Sequence, residues 1–441
     1  MKHLVIIGSV WPEPDSSAAG TRMWQLIELF QQDRWQITYA SASTPSTHRI
    51  DLPARGVAEA RINLNCDSFD AWLIEQRPTA VLFDRFMTEE QFGWRVARSC
   101  PEALRLLDTE DLHSLRAARW QRLKEKQREL GGNEAERQAV GPVLDSPGQL
   151  FEQMATSDIA QRELAAIYRS DLSLMISEYE MALLTDQFNV APELLHYLPL
   201  LVDGRSEATK DYFNPAKGFA EREHFVSLGN FRHPPNWDAV LWLKHQLWPA
   251  LRARVPGAQL HLYGAYPPPK ATALTNTREG FLVKGWAPDA RAVISQARVC
   301  LAPLRFGAGL KGKLLEAMVC QTPSVTTTIG AEGMSGANPW PGAIADEASA
   351  FVESAAKLYE NESLWRSAQT NAPALLSQRY ARRRFSESWH RRLASLMEGL
   401  KEHRRANFVG AMLRHHQHRS TQYMGQWIAE KNRYQNREQE S

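Results

Sequence analysis

The sequence predicts an α/β protein made of two Rossmann-like domains that face each other across a central cleft. Short apolar runs alternate with longer amphipathic stretches, and the runs are continuously apolar, which indicates parallel strands covered by helices on both faces. The runs fall into two series, separated by residues 201–222, which are rich in turn signals such as Asp203-Gly204 and Asn214-Pro215. Because open α/β sheets bind ligands beyond the carboxyl ends of their strands, we expect a ligand in the cleft.

Ten strands follow from this pattern, five in each domain. The first series comprises residues 4–8, 36–40, 80–83, 104–107 and 172–176, and the second comprises residues 225–229, 259–264, 281–285, 299–304 and 324–328. We assign residues 1–205 to the first domain, with a charge-rich helical insertion at about 112–170, and residues 217–373 to the second. Residues 374–441 are predicted to form C-terminal helices and a basic tail, which we expect to be partly disordered after Lys401.

The composition is that of an ordinary soluble globular protein, with 441 residues, 43% of them hydrophobic and 23% charged. The net charge of +2 gives no reason to expect a nucleic-acid partner. No apolar run is long enough for a transmembrane helix, the run at 4–8 is too short for a signal peptide, and the scattered cysteines fit a reducing compartment. We therefore expect a cytoplasmic protein. The C-terminal arginines are expected either to form a solvated helix face or to make a peripheral contact with the inner face of a membrane.

The most informative segment is 299–334, in which a predicted strand is followed by a glycine loop, two lysines and an amphipathic helix. A glycine loop that leads into a helix N-terminus brings backbone N–H groups close to phosphate, and Lys311 and Lys313 can add charge-assisted bonds to a diphosphate. Glu316 can accept both hydroxyls of a ribose. The alternative is that the glycines are ordinary turn residues and that Lys313 and Glu316 form a solvent-facing pair.

Polar residues in the first half also follow predicted strands, where they would line the cleft. Glu110 or Asp111 can accept a proton from an acceptor hydroxyl, and His113 can orient it. The alternatives are that Asp111 caps a helix and that His113 is structural. Gly20 either approaches a ligand or forms a helix-entry turn. The basic run at 119–128 is read as a solvated helix face.

Residues 305–318 read RFGAGLKGKLLEAM, and residues 327–333 read TTIGAEG. This segment resembles the donor-binding core of the group 1 (family 4) glycosyltransferases of the GT-B architecture. The resemblance extends more loosely over residues 1–370, including 228–239 and 107–116. It implies an acceptor-side first domain and a second domain that binds a nucleotide sugar. The implied donor-binding residues are Gly20, Gly229, Asn230, Gly309, Lys311, Lys313, Glu316, Glu332 and Gly333, and the implied catalytic residues are Glu110, Asp111, His113 and Lys311.

The sequence departs from that family pattern at two places. Many members carry two glutamates, of which the second corresponds to Glu316, whereas the first falls on Ala308. The arginine and lysine that commonly follow the first strand of the second domain are replaced near Asn230 and Pro235. The resemblance therefore leaves neutralisation of the diphosphate to Lys311, Lys313 and backbone dipoles, and it does not identify the sugar.

The resemblance implies a retaining hexosyltransferase-like enzyme that needs no metal or other cofactor. Its partners would be a nucleotide sugar and a glycan, a lipid-linked acceptor or a protein acceptor, such as a component of the bacterial surface. The alternatives are a nucleotide-sugar epimerase or phosphorylase on the same architecture, and a catalytically degenerate scaffold that binds a sugar nucleotide. A dehydrogenase is disfavoured because no G-x-G-x-x-G follows the first strand.

Overall fold

The computed structural model of the chain describes residues 2–131, 134–203 and 217–440. The turn signals at 204 and 214–215, on which the predicted domain boundary rests in part, lie outside these ranges. None of the described helices is long and apolar enough to cross a lipid bilayer.

The first domain contains a parallel seven-stranded sheet. Its strands are β1 (His3–Gly8), β2 (Gln36–Ser41), β3 (Ala58–Arg61), β4 (Ala80–Asp84), β5 (Leu104–Asp108), β6 (Leu172–Met175) and β7 (Leu195–Tyr197), in the order β3-β2-β1-β4-β5-β6-β7. Its helices are α1 (Ala18–Gln32), α2 (Ser68–Gln76), α3 (Phe86–Ser99), α4 (His113–Glu129), α5 (Glu134–Gln138), α6 (Pro147–Ala155), α7 (Asp158–Arg169) and α8 (Glu178–Asp186). The predicted insertion thus corresponds to helices α4 to α7 between β5 and β6.

The second domain repeats this plan with six parallel strands. They are β8 (Glu223–Leu228), β9 (Leu260–Tyr263), β10 (Phe281–Gly285), β11 (Ala297–Ala302), β12 (Ser324–Thr326) and β13 (Gly342–Ile344), in the order β10-β9-β8-β11-β12-β13. Its helices are α9 (Pro234–Trp242), α10 (Trp248–Arg254), α11 (Pro269–Thr272), α12 (Ala290–Gln296), α13 (Gly312–Val319), α14 (Thr328–Ala331), α15 (Ala348–Glu360) and α16 (Glu362–Arg379), and a π-helical stretch at Leu243–Leu247 joins α9 to α10.

All ten predicted strands are present, and in the first sheet β1, β4, β5 and β6 are buried along their whole length, as continuous apolarity requires of a sheet covered on both faces. The pattern missed the short strands β3, β7 and β13, which form edges of the two sheets. Strand β3 carries charged residues and β13 is only three residues long, so neither presents an extended apolar run. Edge strands of this kind give little signal in a single sequence.

The C-terminal helices pack on the first domain. Helix α16 continues through Pro373 to Arg379, so the predicted boundary at 373 falls inside a helix of the second domain. The chain crosses back at Ala381, which pairs with Val202, and enters α17 (Arg382–Glu398), whose Trp389 joins the core of the first domain. Helices α18 (Leu400–Ala406) and α19 (Phe408–Glu440) follow, so the tail expected to be partly disordered is helical.

The helical insertion also contacts the second domain. The ring of Trp120 in α4 stacks on Phe306 at a centroid distance of 4.4 Å. The guanidinium of Arg305 pairs with Asp238 and donates to the carbonyl oxygen of Val140 at 2.9 Å. These contacts hold the two domains together beside the cleft.

Candidate functional site

Each sheet reverses its strand order at one place, and the two reversals supply the loops of the candidate site. In the first sheet the reversal lies between β1 and β4, and in the second it lies between β8 and β11. Loops that leave neighbouring strands there diverge to opposite sides of the sheet and leave a crevice at its carboxyl edge. The glycine loop after β11, residues 303–311, therefore lies beside the loop after β8 that begins at Gly229.

The loop after β11 has a backbone that only glycine adopts easily. Gly309 has a φ of 64°, in the left-handed region, and a methyl group on it would lie 2.8 Å from Cβ of Asp111 in the first domain. A methyl group on Gly312, the first residue of α13, would lie 2.7 Å from Cβ of Ala18. The loop thus touches the first domain directly, and the cleft is closed around it.

Lys311 is turned into its own loop. Its Nζ donates to the carbonyl oxygen of Ala308 at 3.1 Å and also to that of Gly309. Burial lowers the pKa of this ammonium to about 8. An anion at this loop would have to compete with two loop carbonyl groups for the ammonium of Lys311.

Lys313 links the two loops at the strand reversal. Its Nζ donates to Oδ1 of Asn236 at 2.7 Å, and both side chains line a small pocket together with Gly229 and Tyr263. Burial lowers the pKa of Lys313 to about 8. Asn230 shapes the same loop, because its Oδ1 accepts from the backbone N–H of residue 232 at 2.9 Å.

Glu316 does not project freely toward a ligand. Its carboxylate forms a two-point ion pair with the guanidinium of Arg291 in α12, and Nη2 of Arg291 lies 3.2 Å from Oε1. The predicted solvent-facing pair with Lys313 is therefore wrong, since Lys313 binds Asn236 instead. A ribose could reach Glu316 only as an additional or competing partner of that carboxylate.

Glu332 is held by a residue that the sequence analysis placed on a solvated face. Arg119 of α4 is almost fully buried and donates to both carboxylate oxygens of Glu332 at 2.9 and 2.6 Å. It also donates to the carbonyl oxygen of Gly307 at 2.8 Å. The prediction that residues 119–128 form a solvated helix face is therefore wrong for Arg119. Its planar guanidinium connects the first domain to both glycine loops of the second domain.

The first domain contributes a buried charged cluster at its own strand reversal. Oδ2 of Asp84 accepts from the backbone N–H of Ser9 at 3.0 Å and from its hydroxyl at 2.7 Å, and Arg85 donates to the same hydroxyl at 2.6 Å. Asp108 accepts from Arg22 at 3.3 Å, and its other oxygen has no hydrogen-bond partner. Carboxylates follow both β4 and β5, as the pattern of residues at the strand ends predicts.

Glu110 is conformationally strained and buried. Its φ of 60° is unusual for a residue with a side chain, and Oε1 is buried without a hydrogen-bond partner. Burial, with the nearby charge of Asp108, raises the pKa of Glu110 well above its ordinary value. Strain and an unpaired buried carboxyl oxygen in one residue are features that concentrate at functional sites.

Asp111 is the ionised carboxylate of the site. Burial would raise its pKa, but Arg116 and His113 outweigh burial and lower it to about 2. Nε2 of His113 lies 3.4 Å from Oδ1 of Asp111. Burial lowers the pKa of His113 to about 4 against the opposing charge of Asp111, so the imidazole is neutral at pH 7.

Two glutamates from other helices cap α4, which begins immediately after Asp111. Glu163 accepts from the backbone N–H groups of His113 and Ser114 at 2.8 and 3.0 Å, and Oε1 of Glu180 accepts from that of residue 112 at 3.3 Å. No side chain at the N-cap position of α4 caps the helix. The alternative reading of Asp111 as a helix cap is therefore wrong, and its carboxylate is left for the cleft.

Glu180 also reaches the second domain. The same Oε1 accepts from the backbone N–H of Gly309 at 2.6 Å, while Oε2 is buried without a hydrogen-bond partner. Burial, together with the charge of Asp111, raises its pKa to about 8. This carboxyl group therefore joins the start of helix α4 to the glycine loop.

Gly20 and Gly333 both lie where neighbouring atoms leave little room for a side chain. A methyl group on Gly20 would lie 2.2 Å from the carbonyl oxygen of Glu13, so the helix-entry reading accounts for this glycine. Gly333 has a φ of 72°, and a methyl group there would lie 3.0 Å from Oγ of Ser177 in the first domain. Gly333 thus lies at the domain interface, whereas Gly20 supports the loop above α1.

Four charged residues that bind the site residues could not be identified as such from the sequence: Arg22, Arg119, Glu180 and Arg291. Each is a single charged residue on a helix, and its role depends on a partner far away in the chain, as with Glu180 and Gly309. In the sequence each of them is only a charged residue among apolar neighbours, and this pattern does not show which distant residue it contacts. His233 was also missed; burial and the charge of Arg116 lower its pKa to about 4, against the opposing charge of Asp111.

Aromatic residues close the mouth of the cleft. The ring of His48 lies 4.3 Å from that of Trp286 and 5.3 Å from that of Tyr266, measured between centroids. The hydroxyl of Tyr266 donates to Glu13 at 2.8 Å, and the indole of Trp286 donates to the carbonyl oxygen of Asp15 at 3.3 Å. These contacts join the loop before α1 to the second domain, so the cleft is closed in this structure.

The second domain matches a known family. The model of the glycosyl transferases group 1 matches residues 222–361, which run from the start of β8 to the end of α15 and include the glycine loop. The chain has no significant sequence match among the curated proteins.

Solved structures show the same architecture over nearly the whole chain. Sucrose-phosphate synthase from Thermosynechococcus elongatus has a TM-score of 0.61 at 15% identity, and the match covers 90% of this chain and 100% of that chain. HepE from Anabaena, solved with UDP-glucose, has a TM-score of 0.61 at 12% identity over 90% and 100%. A glycosyltransferase from Rickettsia africae has a TM-score of 0.60 at 9% identity over 89% and 98%. The predicted GT-B fold is therefore confirmed.

Proposed function

We propose that this protein is a glycosyltransferase that moves a sugar from a nucleoside diphosphate sugar to an acceptor hydroxyl. The observation that carries the proposal is the position of the glycine loop. Backbone N–H groups and the ammonium groups of Lys311 and Lys313 lie at the strand reversal of the second sheet, opposite Glu110 and Asp111 of the first domain. A group that is transferred between two bound substrates needs such a pair of facing surfaces.

The donor side is supported by charge and shape. Lys313 and Asn236 line the small pocket at the reversal, and Lys311 lies two residues before Lys313 at the start of α13. A diphosphate there would replace the loop carbonyl groups that Lys311 now binds, and its negative charge would raise the pKa of both lysines back toward the ordinary value. The family match of residues 222–361 supports this assignment, as do the solved structures of HepE with UDP and UDP-glucose.

The acceptor side is supported by the carboxylates after β5. Asp111 is ionised and its orientation is set by His113 and Arg116, so it can accept a hydrogen bond from an acceptor hydroxyl. The pKa of Glu110 is raised, so in the empty site it can donate a hydrogen bond through a protonated carboxyl group. In this proposal Asp111 accepts a hydrogen bond and Glu110 donates one. The sequence alone did not say which of the two acts on the acceptor hydroxyl.

The reaction breaks the bond between the anomeric carbon and the diphosphate oxygen and forms a bond from that carbon to the acceptor oxygen, and the proton of the acceptor hydroxyl passes to the departing diphosphate. The leaving diphosphate gains negative charge, which the loop N–H groups and the two ammonium groups stabilise. Contacts such as Glu180 to Gly309 exclude water from the closed cleft and limit hydrolysis of the donor. We infer retention of the anomeric configuration, a hexosyl donor and a bacterial glycan, glycolipid or protein acceptor from the resemblance of residues 305–333 to the family motif.

The proposal requires no metal cofactor, because Lys311, Lys313 and backbone dipoles supply positive charge at the leaving group. A catalytically degenerate scaffold is the second candidate. It is favoured by Ala308, which stands where a glutamate is common in the family, and by the ion pair between Glu316 and Arg291. An epimerase would convert the donor without any acceptor, and this outcome is distinguishable in the same assay.

Nucleotide binding tests the donor site first. Titration calorimetry with UDP, GDP, ADP and their common hexose conjugates should identify one diphosphate that binds the wild type. Lys313→Met should weaken its affinity by about ten-fold or more, since a charge-assisted bond to the phosphate is lost. Lys357→Met, an exposed lysine on α15, is the matched control and should bind like the wild type.

Turnover then separates the candidates. The preferred donor, incubated with and without extracts of glycolipids and glycans, is followed by release of the nucleoside diphosphate and by NMR of the sugar. Acceptor-dependent release supports the transferase. Epimerised donor supports an epimerase, and binding without any turnover supports the scaffold. If no nucleotide binds the wild type, the donor-site assignment fails.

A further inference from the structure

Helix α19 exposes a row of large apolar side chains. Fourteen large hydrophobic side chains are exposed in the described part of the chain, and six of them lie on this helix, with 43% to 70% of each accessible. We call these six the outward stripe: Phe408, Val409, Met412, Tyr423, Met424 and Trp427. Scattered exposed apolar residues need no explanation, whereas a row of six on one helix does.

The stripe faces away from the protein because the opposite side of α19 is packed. Positions 408, 409 and 412 repeat at 423, 424 and 427, about four helical turns later, so both groups share one face. Gly410 and Gly425 lie on the other face with the same separation. A methyl group on Gly410 would lie 2.1 Å from the carbonyl oxygen of Tyr168, and one on Gly425 would lie 3.3 Å from Trp94. The helix therefore cannot turn its stripe inward.

Several C-terminal arginines are used to attach these helices to the first domain. Arg404 pairs with Asp171 and donates to nearby backbone carbonyl groups, and Arg414 donates to the carbonyl oxygen of residue 169 at 3.2 Å. Arg382 pairs with Asp203 at the start of α17. A membrane contact made by these particular arginines, as the sequence suggested, is therefore not available. The apolar stripe and its flanking residues remain exposed.

The surroundings of the stripe are basic. Residues 400–441 contain eight Lys or Arg and four Asp or Glu, together with four histidines. Lys401, Arg405, His415 and His416 are exposed. An excess of positive charge disfavours a second copy of the same helix as the partner and favours a negatively charged surface. Tryptophan and tyrosine in an apolar row, flanked by basic residues, are typical of helices that lie in the headgroup region of a bilayer.

We propose that the outward stripe of α19 inserts into the surface of a membrane containing anionic phospholipids and holds the protein there. The six apolar side chains enter the boundary between headgroups and acyl chains, while Lys401 and Arg405 attract the lipid phosphates. The inward glycines and arginines keep the helix fixed on the first domain, so the whole protein is docked and not only its tail. This inference does not depend on the proposed transferase activity.

Vesicle sedimentation tests it with the full-length protein. The wild type should sediment with phosphatidylglycerol-containing vesicles and only weakly with pure phosphatidylcholine vesicles. The stripe variant carries Phe408→Ser, Met412→Ser, Tyr423→Ser and Trp427→Ser, and its binding should fall by about ten-thousand-fold, to below detection, since each of the four embedded side chains contributes about ten-fold. The single variant Trp427→Ser should lose about ten-fold and guards against an effect of misfolding.

The matched control replaces four other exposed apolar residues with serine: Leu64, Ile74, Leu130 and Leu364. It should bind vesicles like the wild type, and circular dichroism should be the same for all variants. Three results would overturn the proposal. The first is a wild type that does not bind anionic vesicles, and the second is a stripe variant that binds as well as the control. The third is light scattering that shows a wild-type dimer converted to a monomer by the stripe substitutions, which would make this face a subunit interface.

Discussion

Replacing Glu180 with glutamine should make the protein more stable at neutral pH. Burial raises the pKa of this carboxyl group from 4.5 to about 8, so at pH 7 the folded protein holds a proton there that the unfolded chain has released. Its contribution to stability is therefore fully present below a pH of about 4.5 and is lost as the pH rises toward about 8. At about 1.36 kcal/mol per pH unit, this loss reaches about 3 kcal/mol at pH 7 and about 5 kcal/mol above pH 8.

Glutamine suits the geometry at this position. It keeps an oxygen at Oε1, which accepts from the backbone N–H of Gly309 at 2.6 Å, and it places its NH2 group where Oε2 has no partner. The wild-type carboxyl group also buries an unpaired O–H at that place when protonated, so the two side chains bear similar desolvation costs. We expect Glu180→Gln to match the wild type at about pH 5 and to exceed it by about 3 kcal/mol at pH 7.

Urea unfolding at about pH 5, 7 and 8.5, followed by circular dichroism and tryptophan fluorescence, measures this difference. Glu178→Gln, an exposed position on the same helix, controls for the loss of a negative charge and should leave the pH dependence unchanged. Glu163→Gln should instead destabilise by about 1–3 kcal/mol at about pH 5, because both of its oxygens accept from backbone N–H groups and an amide NH2 would oppose one of them. Because burial also raises the pKa of Glu163 to about 7, this difference should shrink as the pH rises to neutral. The reasoning is refuted if Glu180→Gln is less stable than the wild type at every pH.

Three further predictions concern the closed cleft. Gly309→Ala should destabilise by about 1–3 kcal/mol, because its φ is left-handed and its methyl group would press on Asp111; small-angle scattering should show a larger radius of gyration. Arg119→Gln leaves Glu332 without its two-point partner and should cost about 2–4 kcal/mol, with faster proteolysis between the domains. Affinity for the nucleoside diphosphate should fall as the pH rises above about 8, since Lys313 loses its proton there, and calorimetry across that range checks this.

The two sheets could be read from the sequence because each central strand is buried by its own residues. A run such as residues 4–7 (LVII) is apolar on both faces wherever it is placed, so its burial does not depend on knowing its neighbours. The glycine loop and its lysines could be predicted for the same reason, because backbone conformation and the starts of helices depend on nearby residues. The short edge strands were missed because their pairing depends on the rest of the sheet.

The partners of the charged site residues could not be read in this way. Arg119 looks like one basic residue in a basic helix, and its burial depends on Glu332, which lies more than two hundred positions away in the chain. Glu316 was expected to be free for a ribose, but Arg291 of the preceding helix reaches it. Ion pairs of this kind are determined by how the two domains and their helices pack.

The sequence by itself determined that the chain forms two parallel α/β domains and where along it the glycine loop, the two lysines and the carboxylates occur. These features depend on local periodicity and on backbone requirements that short segments express alone. Only the tertiary structure decided which charges are paired, which carboxyl oxygens are left unpaired, and that α19 turns its apolar side outward. Those outcomes follow from contacts between residues that are distant in the chain, because burial and charge pairing depend on the neighbours that folding brings together.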